Sequence, residues 1–385
     1  MYLVSLKSSF MLGLLFLAHF SMTAMIFPGD STTFYDIHQS GFEALYLLQD
    51  EYKTKRNRIN KELQGLGLQL AHVTSADKKV GMLEEKLQLL EALSQIENAE
   101  ELEVLKVRYG KGVDLIKVMY EKILGLDHHF SSMQTYQNVA VLSNPNTFPA
   151  FKNIQAIMKE KSSNRLGFAF PGIWESNAFL TATFSIVSSL LGKGKAEEKS
   201  AEMDQISCVL DFTLRMNGDL NIVRHETEFL KKANQALKEE CEALFKEYTL
   251  FLDYLVPLAD CRKNDDWEQL QEQLLKFIDQ LKDESTKNQL EAKKKEVDLA
   301  FATQRVADFI TKYSNFIQQG IQYYQKFDSI ISSYENEATC AESLPHQFQE
   351  LKYDIKTTIE KFNNTYNLPE IQGSRLKSLL YGGIN

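Results

Sequence analysis

Residue types that do chemistry are few in this chain and widely spaced. Of its seven histidines only His128 and His129, in "LDHHF" at 126–130, are adjacent. Neighbouring residues on a helix point about 100° apart, so these two cannot readily share a metal ion; His129 with a His or Asp of another helix could hold one. Their expected place is a helix rim, solvated or capping. Four cysteines, Cys208, Cys241, Cys261 and Cys340, form no C-x-x-C pair. No G-x-S-x-G, H-E-x-x-H, G-x-x-x-x-G-K-[ST] or G-x-G-x-x-G spacing occurs. "GKGK" at 192–195 lacks the first glycine and the hydroxyl residue of a phosphate loop. The acidic pairs Glu239–Glu240 and Asp265–Asp266 and the run Lys293–Lys294–Lys295 read as solvated helix faces. The expectation is a protein with no catalytic residue, metal or cofactor, and not an enzyme.

The elements that would carry these residues are helices. Proline is absent from 29–144, 172–256 and 258–344. Each interior proline would cost a helix about 3 kcal/mol, so these tracts permit long ones. Met216, Leu220, Val223, Thr227, Leu230, Asn234, Leu237, Cys241, Leu244, Tyr248, Phe251 and Leu255 repeat at alternating steps of four and three. That period of 3.5 is the coiled-coil signal. Leu102, Leu105, Tyr109, Gly112, Ile116, Met119, Ile123, Leu126 and Phe130 repeat in the same way. So do Ile310, Tyr313, Ile317, Gly320, Tyr324, Phe327, Ile331 and Tyr334. The last helix has a second stripe, Phe309, Phe316, Tyr323 and Ile330, so it should touch at least two neighbours. Near the start, Phe34, Gly41, Leu45, Leu48, Tyr52, Ile59, Leu66 and Leu70 line one face.

The spacing predicts helices near 34–73, 78–97, 99–140, 148–161, 176–191, 197–256, 264–283, 286–338 and 345–366, with no strand of useful length. "NAEE" at 98–101 and "NDDW" at 264–267 read as helix starts, and "STK" at 285–287 can begin the last long helix. Thr227 and Asn234 on the apolar seam read as polar positions that set register. The fold class is all-α: an elongated bundle of long heptad-patterned, coiled-coil-like helices with a compact apolar helical head.

Cys208 and Cys241 fall on one predicted helix, about 50 Å apart along its axis, which excludes a bond between them within a chain. Cys241, on the seam, reads as a small buried hydrophobe. Cys261 and Cys340 both lie in breaks and are the candidates for a disulfide. Whether they meet depends on the course of the helix at 286–338. If it runs antiparallel to the helix at 197–256, the two cysteines fall at opposite ends.

"MYLVSLK", an apolar run from Phe10 to Phe20 and the small residues of "SMTA" have the order of a secretory signal peptide, with cleavage expected after Ala24. The apolar run is short against the roughly 20 residues needed to span a bilayer. The expected compartment is therefore periplasmic or extracellular, where disulfides can form. The chain carries 43 basic and 52 acidic residues, a net charge of −9, so no nucleic-acid partner is expected. The expected domains are 1–24, the signal peptide; 25–144, an N-terminal long-helix segment; 145–195, the apolar head; and 196–385, a C-terminal long-helix segment packing on the first.

The head carries the functional expectation. Between Arg165 and Lys193 only Glu175 is charged. Pro171 and Gly172 divide an aromatic part, with Phe168, Phe170 and Trp174, from Asn177–Leu191. The second part presents Phe179, Leu180, Phe184, Ile186, Val187, Leu190 and Leu191 among small and hydroxyl residues. Its length suits a core helix of a soluble protein. Its small residues, with Trp174 and Lys193–Lys195 as interfacial flanks, also suit lipid. Otherwise it is a docking patch that a partner covers. In its order of elements the chain resembles the α-helical pore-forming toxins of the cytolysin A and haemolysin BL kind. That resemblance is one of layout and length, without a shared motif, and it implies a membrane-inserting hairpin at 166–192. The leading expectation is an exported, non-enzymatic scaffold or interaction protein, meeting a protein partner or itself through its helices. The alternative is a pore former that uses 166–192 against a lipid bilayer.

Overall fold

The structure, a computed structural model, describes residues 33–131, 196–335, 346–371 and 374–382. The described residues are all-α: α1 (Phe34–His72), α2 (Ala76–Ser131), α3 (Ala196–Thr249), a single 3-10 turn (Leu250–Leu252), α4 (Leu258–Asn264), α5 (Trp267–Lys287), α6 (Gln289–Glu335), α7 (His346–Thr365), α8 (Leu368–Ile371) and α9 (Ser374–Tyr381). The chain divides into two compact units. One holds residues up to Asp114 together with Leu250–Leu299; the other holds Leu115–Thr249 together with Ala300 onward. The helices α2 and α6 each contribute residues to both.

In the first unit, α1 begins with a capping box. The Asp36 amide donates to Thr33 Oγ1 at 3.2 Å, and the Thr33 amide donates to Asp36 Oδ2 at 2.9 Å. These reciprocal bonds satisfy donors that a helix start leaves open. They also hold the Asp36 carboxyl below its ordinary range, the backbone bond contributing most. Phe34, Gly41, Leu45, Leu48, Tyr52 and Leu66 are buried as the period predicts; Ile59 and Leu70 are half-buried, and Ile37 joins the buried face. In α5 the apolar face is Trp267, Leu270, Leu274, Ile278 and Leu281, all buried. Glu103 of α2 takes Lys282 of α5 at 2.5 Å and Lys106 at 3.3 Å, and Arg56 of α1 pairs with Glu100 of α2.

In the second unit, α3 and α6 run antiparallel. Their cross-helix partners descend in one helix as they ascend in the other: Arg305 with Glu247, Lys312 with Glu240, Lys326 with Glu226, and Tyr334 with Asp219. Met216, Val223, Thr227, Leu230, Asn234, Leu237, Cys241, Leu244 and Tyr248 are all buried at the predicted steps. In α6 the first stripe is buried throughout. Of the second stripe, Phe309, Phe316 and Tyr323 are buried and Ile330 is half-buried. The expected multiple neighbours are α3, α2 and α7: Tyr323 meets Thr227, and Tyr324 meets both His129 and Phe362.

Several element boundaries differ from expectation. The stretches at 78–97 and 99–140 are one helix through Ser131, because Asn98 and two glutamates carry too small a propensity cost to interrupt it. α3 stops at Thr249 although its apolar period continues to Leu255, which is 76% exposed. Asp253 takes a left-handed φ of 54°, and Pro257 disfavours helical backbone at the residue before it. The "NDDW" start is Trp267, with Asp266 at the cap and Asn264 ending α4. α5 runs through "STK" to Lys287; Asn288 makes the break, its Oδ1 accepting from the Glu291 amide at 3.4 Å. The predicted helices at 148–161 and 176–191 lie outside the described residues.

Candidate interaction surface

The residues expected to dock a partner or a membrane, Phe168, Phe170, Trp174, Phe179, Leu180, Phe184, Ile186, Val187, Leu190 and Leu191, all lie outside the described residues, as does Cys340. Cys261 is described. It is buried in α4, beside Tyr254, whose hydroxyl burial pushes up, with further upward contributions from Cys261 and Asp266. Cys241 is a buried free thiol on α3. Burial, with Glu242 and Glu240 close by, pushes its pKa far above the ordinary value, so little thiolate forms and its nucleophilicity is low.

His129 takes a different place from the expected solvated rim. The His129 ring is half-buried and hydrogen-bonds the hydroxyl of Tyr324, which is 2% exposed. Its centroid stands 5.4 Å from that of Phe362, and Phe362 stacks 4.8 Å from Tyr366. A heptad reading places 129 near a seam but carries no information on Phe362, more than 200 positions away. Among the described residues no group of three or more His, Cys, Asp and Glu could hold a metal ion.

The polar side chains inside the second unit turn to neighbouring helices. Thr227 Oγ1 donates to Val223 O at 2.9 Å and meets the Tyr323 hydroxyl at 2.6 Å. Asn234 Nδ2 donates to the Ile123 carbonyl at 3.2 Å. Tyr120 donates to Glu242 at 2.8 Å, and Lys122 to the Thr365 carbonyl at 2.8 Å. Burial lowers the Lys122 pKa, with Glu370 acting against it, and burial raises those of Tyr313 and Tyr366. In the first unit Lys111 and Asp114 form a buried pair at 3.1 Å, one helical turn apart on α2. Nothing in the local sequence distinguishes this pair from an exposed one. These bonds tie neighbouring helices, or successive turns of one helix, together.

The surface itself is unevenly apolar. Val80, Leu83, Leu87 and Leu90 on α2 are 55%, 55%, 68% and 46% exposed. Their spacing of three, four and three residues puts them on one face. The 3-4-3 spacing stands in the sequence itself, next to a second stripe on the same helix, Met82, Leu89, Leu93 and Ile96, which is half-buried. Among the described residues no helix is long and apolar enough to cross a membrane. No family model, curated protein or solved structure matches the chain.

Proposed function

We propose that the protein is an exported, non-enzymatic helical scaffold, docking a protein partner of an envelope or secretion-related assembly through its apolar segment at 166–192. The proposed form is an elongated bundle of heptad-patterned, coiled-coil-like helices with a compact apolar head at 145–195. The carrying observation is the division of labour among side chains. Buried polar groups such as Thr227, Asn234 and Tyr334 face other helices, while large apolar residues at helical spacing stand on the surface. A protein that works by recognition needs rigid elements and apolar contact area, and this chain has both.

One observation favours a second reading, a membrane-inserting pore former that uses 166–192: a run of 27 residues holding the single charge of Glu175, with Trp174 just before its longer apolar part and Lys193 and Lys195 just after it. Liposome flotation with dye release separates the two readings. The scaffold reading expects the intact chain neither to float nor to release dye. Flotation and leakage that disappear on Phe184→Asp with Val187→Asp, with helical circular dichroism retained, would replace it by the pore former.

A further inference from the structure

The uncovered stripe of α2 lies wholly within the first unit. From Ala76 to Glu101 no residue of α2 is buried. Met82, Lys86, Leu89, Leu93 and Ile96 are half-buried along one line. The short connection at 73–75 and the Arg56–Glu100 pair keep α1 beside α2. Val80, Leu83, Leu87 and Leu90 form a second line about 120° round the helix, open to solvent.

The charges bordering this stripe select its occupant. With Val80 and Leu87 at the a positions of a heptad and Leu83 and Leu90 at d, Lys79 and Lys86 occupy g, and Glu84 and Glu91 occupy e. In a parallel pair of such helices each g faces the e of the next heptad on the partner. Lys79 then meets Glu84, and Lys86 meets Glu91, on both sides of the seam. An antiparallel pair would set lysine against lysine and glutamate against glutamate. The stripe is thus complementary to itself in one orientation. Two heptads are too short to fold and pair from a disordered state. Here α2 is a continuous helix of 56 residues, so pairing need not supply the ordering free energy.

We infer that the face of α2 at 79–91 docks a second copy of this chain, in parallel, through Val80, Leu83, Leu87 and Leu90. This rests on reading the chain as an interaction protein and names the partner of one of its surfaces.

Sedimentation equilibrium of the full chain tests it. The unaltered chain should sediment at twice the chain mass. Leu83→Lys should sediment at the chain mass, with circular dichroism unchanged. Lys79→Glu with Lys86→Glu should weaken self-association at least about tenfold, since four like-charge pairs replace four opposite ones. Adding Glu84→Lys and Glu91→Lys to that variant should restore the dimer, which only the parallel orientation allows. An unaltered chain that stays monomeric at every concentration would mean that another segment of the chain, or a different protein, covers the stripe, and would overturn the inference. So would a dimer indifferent to these substitutions. Neither outcome bears on lipid binding by 166–192, so a failure here is distinct from a failure of the interaction reading, which flotation reports.

Discussion

At the scale of single residues, the polar groups of the interior can be read as pairs. Thr227 and Tyr323 meet hydroxyl to hydroxyl in a buried contact between α3 and α6. Thr227→Val keeps the shape and removes this bond, so urea unfolding should show a loss of about 1–2 kcal/mol. Tyr323→Phe should cost a similar amount, and the double variant clearly less than the two together, because neither hydroxyl is then left without the other. Glu103 provides a pH-dependent counterpart. Burial raises its pKa, but Lys282 and Lys106 lower it by more, so in the folded protein it lies below its ordinary 4.5. Its contribution is therefore full above that ordinary value and disappears as pH falls through the depressed one. Lys282 is the complement. Burial lowers its pKa, Glu103 more than compensates, and the stability it adds is present below 10.5 and lost as pH rises through the raised value. Glu103→Gln should flatten the acid limb of stability against pH in chemical denaturation. Of these residues Thr227 was legible as a polar seam position. Its partner was not, because a period names the face of a helix and not the side chain opposite.

At the scale of elements, the 3.5-residue period was the most informative signal. It located the buried face of α3 from Met216 to Tyr248 and both stripes of α6. It overran at Phe251 and Leu255, where backbone set the boundary: the left-handed Asp253 and then Pro257. Apolar periodicity reports what a helix would bury, whereas termination is decided by a few residues whose φ and hydrogen bonding refuse the next turn. Gly320 shows why one seam position of α6 is small. A Cβ there would stand 2.7 Å from Cζ of Phe362, a ring that is 2% exposed and held between Tyr324 and Tyr366. Gly320→Ala should therefore destabilise the protein by about 1–3 kcal/mol, even though alanine is the better helix former by roughly 1 kcal/mol. Gly67 and Gly218 meet nothing within 4 Å, and alanine at either should raise the urea midpoint by an amount equivalent to about 0.5–1 kcal/mol.

At the scale of the whole molecule, the all-α class followed from sparse proline, long apolar periods and the lack of strand alternation. The grouping of residues into two units was not legible. Each unit joins stretches far apart in sequence, as Glu103 with Lys282 and Lys122 with Thr365 show, and a single sequence does not encode such pairings locally. The proposed docking segment was legible as composition alone, since low charge over 166–192 does not say what covers it. The scaffold account requires that protein, not lipid, cover it. Trp174 sits inside that segment and reports its surroundings; Trp267, the other tryptophan, is 3% exposed in the first unit and serves as an internal reference. The decisive measurement is tryptophan fluorescence of the full chain with vesicles whose acyl chains are brominated. The account predicts no quenching beyond that seen with unbrominated vesicles. Strong quenching by the brominated chains, absent when Trp174 is replaced by Phe, would place the segment in the bilayer and contradict it.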